Sequence, residues 1–223
     1  LNRYPQPQPQ ALLEALADLY QVSANRILVG RGSDEAIDLL LRAFCSAGRD
    51  AVLVTPPTFG MYAVAARIQG AGVVEVPLCS TASFTLDTDA VIAALAPPVK
   101  LLFLCSPNNP TGTLIPREDL LRVLDAAARR AVVVVDEAYL EFASRESLAP
   151  LIDQFPHLVV LRTLSKAHGL AGARVGSLIG RPGLVALLRR IIPPYAIAQP
   201  TVEAALSALS PPHLESEATA PTK

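Results

Sequence analysis

Short, continuous apolar runs recur along this chain and alternate with helical stretches. Strands with one solvated face alternate polar and apolar residues, whereas strands covered on both faces are apolar throughout. Runs such as 101–105 and 131–135 are of the second kind. The sequence therefore predicts an α/β fold: a mostly parallel sheet with helices on both faces. The predicted strands are 26–29, 51–54, 73–76, 101–105, 131–135, 158–161 and 175–179, and the predicted helices are 11–20, 33–45, 60–69, 87–95, 116–130 and 182–190.

Charge and cysteine content narrow the class of partner. The 223 residues carry a formal net charge of −1 without a lysine- or arginine-rich run, which argues against nucleic acid and anionic membranes as partners. No apolar run approaches the ~20 residues of a membrane span. Cys45, Cys79 and Cys105 lie in apolar contexts without metal-ligand spacing, so we expect reduced core thiols. These features predict a cytoplasmic protein that binds a small molecule.

The two ends of the chain differ from its middle. The chain begins at Leu1 rather than at a methionine, and residues 210–223 are rich in proline, serine, threonine and glutamate. We expect one domain over residues 1–209 with an incomplete start, followed by a disordered tail over 210–223.

Chemically rich segments follow the predicted strands, where open α/β sheets bind their ligands. Segment 30–35 leads into a helix whose N-cap we predict to be Ser33, and its N–H groups can hold a phosphate. A capped glycine turn explains it equally well. Segment 106–112 can aim an asparagine amide, although alone it is an ordinary turn. Segment 136–139 places Asp136 where a buried strand ends, either as a functional carboxylate or as a cap of the next turn.

Lysine is scarce in this chain. Of its 19 lysines and arginines, the lysines are Lys100, Lys166 and Lys223. Lys166 lies among apolar and glycine residues, and Arg174 follows eight positions on. A neutral amine can attack an aldehyde, which a guanidinium cannot do, and partial desolvation favours the neutral form. Composition alone favours a plain surface lysine at Lys166 over a reactive one.

The four segments together supply what pyridoxal phosphate requires. This cofactor needs a lysine for its aldehyde, an anion for its ring nitrogen, donors for its phenolic oxygen and a phosphate cradle. The motifs at 109–112 (NPTG), 136–139 (DEAY) and 165–166 (SK), with Arg174, resemble those of class II aminotransferases of fold type I. More narrowly, four motifs resemble the histidinol-phosphate aminotransferase branch: 2–5 (NRYP), 32–40 (GSDEAIDLL), 56–62 (PPTFGMY) and 161–166 (LRTLSK). The resemblance runs from residue 2 to about residue 210.

The resemblance implies a catalytic role for three of these residues. Lys166 would form the Schiff base with the cofactor and later move the substrate proton. Asp136 would pair with the ring nitrogen, which keeps the ring an electron sink. Tyr139, together with Asn109, would hydrogen-bond the phenolic oxygen.

The remaining family positions imply contacts with the phosphate, the ring and a second subunit. Phe59 stands where the family stacks an aromatic ring, usually tyrosine, on the cofactor. Tyr4 matches a tyrosine that reaches the phosphate of the neighbouring subunit, which implies a homodimer. The implied phosphate ligands are the backbone N–H groups of Ser33 and Asp34, with Thr163, Ser165 and Arg174.

The implied reaction moves an amino group between L-histidinol phosphate and 2-oxoglutarate in histidine biosynthesis, giving imidazole acetol phosphate and glutamate. Family members also have a fuller N-terminal arm and a C-terminal small domain with substrate-binding arginines, and we expect this chain to lack both. Three alternatives therefore stay open. They are a weakly active or inactive fragment that binds pyridoxal phosphate, an aromatic aminotransferase and a threonine-phosphate decarboxylase.

Overall fold

The computed structural model describes residues 2–210, which form a seven-stranded sheet with helices packed against it. Residues 211–223, most of the predicted disordered tail, lie outside the described residues. The strands are β1 (Ile27–Arg31), β2 (Ala51–Val54), β3 (Gly72–Glu75), β4 (Val99–Cys105), β5 (Val132–Asp136), β6 (Leu158–Thr163) and β7 (Val175–Ile179). Their order across the sheet is β1-β7-β6-β5-β4-β2-β3.

The sheet is mostly parallel, which confirms the predicted fold class. Strands β3, β2, β4, β5 and β6 pair in parallel. Strand β7 runs antiparallel to both of its neighbours, β6 and β1. The carboxyl ends of β4, β5 and β6 therefore meet at one edge of the sheet, and the start of β7 lies at the same edge.

Each face of the sheet is covered by its own set of helices. In β4, Leu102 and Leu104 pack into the core beneath helix α1 (Gln10–Tyr20), whereas Leu101 and Phe103 pack into the core beneath helix α2 (Ser33–Phe44). This division explains the continuous apolar runs, because successive side chains of a strand point to opposite faces. The helices are α1 (Gln10–Tyr20), α2 (Ser33–Phe44), α3 (Met61–Gln69), α4 (Thr88–Ala94), α5 (Arg117–Ala127), α6 (Pro182–Leu188) and α7 (Gln199–Ala208).

Helix α7 has no counterpart among the predicted helices. It follows a segment containing Pro193 and Pro194 and has Pro200 in its own first turn. A proline is tolerated there because the first N–H groups of a helix have no partner within it. The local sequence thus resembles a loop, while Val202 and Ala205 are buried in the core.

The start of helix α2 corrects the prediction that Ser33 is its N-cap. Gly32 occupies that position with φ +84°, and Ser33 is already helical. Positive φ is a conformation that glycine adopts without strain. The Glu35 carboxylate reaches back to accept a hydrogen bond from the Arg31 backbone N–H at 2.7 Å. Between residues 2 and 210, no helix is long and apolar enough to cross a membrane.

Candidate active site

A cavity opens where β4, β5 and β6 end, beside the N-terminus of α2. It contains about 510 Å³ of space, including its open mouth. Of the eleven side chains predicted for the site, the structure places ten around this cavity, and Cys105 and Ala138 complete the lining. The ten are Ser33, Asp34, Phe59, Asn109, Asp136, Tyr139, Thr163, Ser165, Lys166 and Arg174.

Asp136, the last residue of β5, supplies the buried carboxylate of the cavity. Its side chain is nearly inaccessible to solvent, and its Oδ1 accepts a hydrogen bond from the Ala138 backbone N–H at 3.0 Å. Its Oδ2 accepts a hydrogen bond from the Tyr62 hydroxyl at 2.7 Å. Burial raises the pKa of Asp136 above its ordinary value, and these two donors oppose that rise.

Tyr62 is a contributor to the site that the sequence analysis did not assign. It is fully buried, stacks on Phe103 with ring centroids 4.8 Å apart and meets the edge of Phe59 at 5.5 Å. Burial and the neighbouring Asp136 charge raise the pKa of Tyr62 well above its ordinary value, so its hydroxyl remains a donor. The 56–62 motif contained this residue, but its spacing in α3 indicates only a core aromatic.

Asn109, Tyr139 and Lys166 lie close together in the lining of the cavity. The Asn109 amide Nδ2 lies 3.5 Å from the Tyr139 hydroxyl, to which it donates. The Lys166 Nζ lies 5.2 Å from the centroid of the Tyr139 ring. An amine and two polar groups thus face a common space.

The neighbouring Asn108 has a structural role, which leaves Asn109 to face the cavity. The Asn108 Nδ2 donates to the Pro57 carbonyl at 2.9 Å and to Thr111 Oγ1 at 2.8 Å. Its Oδ1 accepts from Thr58 Oγ1 at 2.8 Å. Asn108 therefore ties two loops together and is itself buried.

The part of the cavity at the N-terminus of α2 is suited to an anion. The first N–H groups of α2, at Ser33 and Asp34, lack helical partners and sit at the positive end of the helix dipole. Arg174 reaches across to them, with its Nη2 3.2 Å from Asp34 Oδ2 and its Nη1 3.5 Å from Ser165 Oγ. Thr163 Oγ1 accepts from the Ser165 backbone N–H at 3.1 Å and so fixes the turn.

Two glycines allow this close approach. A Cβ atom on Gly176 would collide with the backbone of Gly32 and Ser33. A Cβ on Gly32 would in turn collide with the Arg174 guanidinium. Because neither atom is present, the start of α2 lies directly against β7 with Arg174 beside it.

Tyr4 is the one predicted site residue that does not line the cavity. It is 82% exposed, and its ring stacks on that of Tyr195 with centroids 4.7 Å apart. Within its own chain it therefore takes no part in the cavity. Its predicted contact with a neighbouring subunit stays a prediction.

The fold and the cavity define a class of enzyme, and comparison with known proteins gives the same class. The chain belongs to the aminotransferase class I and II family, whose family model matches residues 1–222. The resemblance found in the motifs is thereby confirmed at the level of the family.

Similar proteins point to a narrower branch. The chain is 56% identical over 212 residues to the histidinol-phosphate aminotransferase of Stenotrophomonas maltophilia (strain R551-3), covering 94% of this chain and 58% of that protein. It is 54% identical over 216 residues to the enzyme of the same name from Xanthomonas euvesicatoria pv. vesicatoria (strain 85-10), covering 96% and 60%. The chain thus spans less than two thirds of the length of these relatives.

A solved structure shares the fold. The histidinol-phosphate aminotransferase from Sinorhizobium meliloti, in complex with pyridoxal-5'-phosphate, superimposes with a TM-score of 0.86 at 29% identity. The match covers 96% of this chain and 58% of that chain.

Proposed function

We propose that this chain binds pyridoxal 5'-phosphate in the cavity and acts in transamination between L-histidinol phosphate and 2-oxoglutarate, a step of histidine biosynthesis. One observation carries the proposal: a single cavity holds a lysine, a buried carboxylate and an anion-binding helix end. The 56% identity to a histidinol-phosphate aminotransferase supports the choice of substrate.

The chemistry of the lining fits the cofactor. Pyridoxal phosphate carries an aldehyde, a phenolic oxygen, a basic ring nitrogen and a phosphate on one ring. The cavity has the amine of Lys166, the donors Asn109 and Tyr139, the carboxylate of Asp136 and the α2 end with Arg174. When bound, the cofactor supplies an electron sink for the carbanion left when the substrate loses its α-proton.

The residues around the ring would orient it and handle the proton. Asp136 would hold a proton on the ring nitrogen, because its charge favours the protonated nitrogen. Asn109 and Tyr139 would hydrogen-bond the phenolic oxygen, and Phe59 would pack against the ring. Lys166 would move the proton to and from the α-carbon as the general base and acid.

The anion side of the cavity would hold the phosphate. Ser33 and Asp34 would donate their backbone N–H groups, and Arg174 would offer two parallel donors. The hydroxyls of Thr163 and Ser165 would complete the cradle. The Arg174–Asp34 contact at 3.2 Å supports this assignment, since it keeps the guanidinium at the start of α2.

A homodimer working in the cytoplasm is part of the same proposal. The 82% exposure of Tyr4 supports it, because an exposed aromatic side chain is available to a second subunit. Tyr4 would then complete the phosphate cradle of the partner subunit. Residues 1–209 would form the cofactor-binding domain.

The cofactor assignment is tested by absorbance spectroscopy on the purified chain. Adding pyridoxal phosphate should produce the band of a lysine-bound cofactor, and Lys166→Ala should abolish that band. Lys100→Ala is the matched control, because Lys100 is exposed on β4 and should leave the band intact. A band that persists in Lys166→Ala would exclude Lys166 as the cofactor lysine.

The substrate assignment is tested separately on the cofactor-loaded protein. Glutamate should form only when both histidinol phosphate and 2-oxoglutarate are present. Release of carbon dioxide from threonine phosphate would indicate a decarboxylase instead.

A further inference from the structure

Arg162 is a buried cation on the face of the sheet opposite the cavity. Arg162 is 8% exposed, and its guanidinium carbon lies 4.9 Å from the centroid of the Tyr20 ring in α1. Its Nη2 lies 2.7 Å from Glu141 Oε1 and its Nη1 lies 3.5 Å from Glu137 Oε2. The function proposed above does not use this cluster.

Two adjacent carboxylates leave the end of β5 in opposite directions. Asp136 is bonded to Tyr62 of α3 on the cavity face, and Glu137 contacts Arg162 on the α1 face. Glu137 is held further by Ser147 Oγ at 2.6 Å and by the Leu148 N–H at 2.8 Å. The turn that carries Asp136 is therefore anchored on both faces of the sheet.

Arg162 links the two segments that would hold the cofactor. It precedes Thr163 by one residue and Lys166 by four, so it belongs to the strand that delivers the lysine. Its acidic partners, Glu137 and Glu141, flank Tyr139 in the turn after β5. The ion cluster of Arg162, Glu137 and Glu141 therefore joins the segment of Lys166 to the segment of Asp136 on the α1 face of the sheet.

A role in stability alone is a weak explanation for this cluster. Removing the Glu137 carboxylate and the Arg162 guanidinium from water costs several kcal/mol per ion, and apolar replacements of buried ion pairs are often neutral or stabilising; Glu141, the third member, is exposed. The cluster does fix geometry, because a planar guanidinium binds its two carboxylates in set directions.

We propose that Arg162 is a positioning residue, which through Glu137 and Glu141 sets the distance between Lys166 and the Asp136–Tyr139 turn. The inference rests on the proposed cofactor site and adds to it a residue that touches neither cofactor nor substrate. Loss of Arg162 loosens this turn and weakens cofactor binding, while the N–H groups at the start of α2 keep their geometry, because they pack against Gly176 of β7.

The test uses the whole purified chain and the variants Arg162→Met, Arg162→Lys and Glu137→Gln. Arg122→Met is the matched control, because Arg122 forms a solvent-exposed ion pair with Asp89 on the protein surface. Four quantities are measured: the unfolding temperature, the Kd for pyridoxal phosphate, the stabilisation by inorganic phosphate, and hydrogen exchange of residues 136–142 without cofactor.

In Arg162→Met we expect the Kd for pyridoxal phosphate to rise about 10- to 100-fold, by analogy with the loss that follows removal of residues that orient metal ligands. Exchange of residues 136–142 should become faster, whereas stabilisation by inorganic phosphate should fall much less than the affinity for pyridoxal phosphate, because the N–H groups of α2 are unaffected. Arg162→Lys should recover part of the affinity. Adding Glu137→Gln to Arg162→Met should cause little further loss of cofactor affinity, because both changes break the same contact between Arg162 and Glu137.

Several results would overturn the proposal. They are a Kd within twofold of the wild type, unchanged exchange of residues 136–142, or an equal loss of phosphate and cofactor binding. If Arg162→Met does not fold, the near-isosteric Glu137→Gln carries the same expectations. A wild-type chain that forms no lysine-bound band overturns both proposals, whereas a normal band unaffected by Arg162→Met overturns only this one.

Discussion

The two oxygens of Asp136 have different donors, and both donors favour the ionised carboxylate against the effect of burial. A backbone N–H and the Tyr62 hydroxyl each donate one hydrogen bond, while burial raises the pKa of Asp136. Hydrogen bonds to a charged group stabilise it by about 1.5–3 kcal/mol. The Tyr62 hydroxyl therefore helps to keep Asp136 ionised in a site that disfavours the charge.

Replacing Tyr62 with phenylalanine should change the pH dependence of cofactor binding. Loss of the hydroxyl removes a contact that lowers the pKa of Asp136, so that pKa rises. As the pH falls, binding that needs the ionised carboxylate is then lost at a higher pH than in the wild type, so the acidic limb of the binding profile should move to higher pH. The measurement is the Kd for pyridoxal phosphate as a function of pH.

Tyr195→Phe serves as the control for the loss of a tyrosine hydroxyl. Tyr195 stacks on Tyr4 away from the cavity and is 43% exposed, so this variant should keep the wild-type profile. Coincident profiles for Tyr62→Phe and the wild type would show that the hydroxyl does not influence Asp136.

At the residue scale, local pattern alone predicts little of what an individual polar side chain contacts. Asn108 and Asn109 are adjacent and chemically identical. Asn108 makes the structural hydrogen bonds because Thr58 and the Pro57 carbonyl pack against it. The motif resemblance selected Asn109, whereas residue type could not. The hydroxyl of Tyr62 was missed for the same reason, because its partner Asp136 lies 74 residues away.

At the level of elements, the anion-binding end of the cavity depends on how closely α2 approaches β7. Gly176 pairs with Gly30 across β7 and β1 and with Thr163 across β7 and β6. Its missing side chain leaves the space that the backbone of Gly32 and Ser33 occupies. The N–H groups of α2 are thus held in place by strand packing rather than by their own loop.

Gly176→Ala should therefore impair both folding and phosphate binding. The added methyl group meets backbone rather than a flexible side chain, so strain of about 1–3 kcal/mol is expected from overpacking. Stabilisation by inorganic phosphate should fall as α2 moves away from Arg174. Both effects are measured by urea unfolding with and without phosphate.

Gly183→Ala provides the comparison. Nothing lies within 4 Å of a Cβ built at Gly183 in α6, and alanine favours helices, so this variant should be as stable as the wild type or more so. Unchanged phosphate stabilisation in Gly176→Ala would show that the α2 end is not held by this contact.

The elements and the parallel course of most strands were predictable from the sequence, but the direction of β7 was not. Short apolar runs located all seven strands, and β2 and β7 have the predicted bounds. The antiparallel course of β7 has no local signal, because both orientations bury the same residues. Helix α7 was missed because Pro193 and Pro194 precede it, Pro200 lies in its first turn and its apolar stripe is short, so the sequence there resembles a loop.

At the scale of the whole molecule, the site opposes the stability of the fold that builds it. Burial raises the pKa of both Asp136 and Glu137, so the folded chain binds these protons more tightly than the unfolded chain does. Stability falls with rising pH wherever the folded state holds more protons than the unfolded state. In the absence of cofactor, each of these carboxylates thus contributes a loss of stability between its ordinary pKa and its raised pKa.

Asp136→Asn should reveal this effect in the cofactor-free chain. Well below about pH 4, Asp136 is protonated in both the folded and the unfolded wild type, so the difference in unfolding free energy between variant and wild type is constant. As the pH rises from the ordinary pKa towards the raised pKa, the unfolded wild type loses a proton that its folded form keeps, so the advantage of the variant should grow; above the raised pKa it should level off. Glu137 is present in both proteins, so its contribution cancels. Urea unfolding from about pH 4 to about pH 8 measures the difference.

Adding pyridoxal phosphate should reverse the order of the two proteins. The wild type then gains the linkage term RT ln(1 + [L]/Kd), whereas Asp136→Asn, which lacks the charge for the ring nitrogen, gains far less. In Asp136→Asn the side-chain NH2 group faces one of the two donors that Asp136 accepts from, which costs some stability. This cost does not vary with pH. A stability difference that is independent of pH would contradict the assignment of a raised pKa to Asp136. A cofactor gain equal in both proteins would instead contradict its role beside the ring nitrogen.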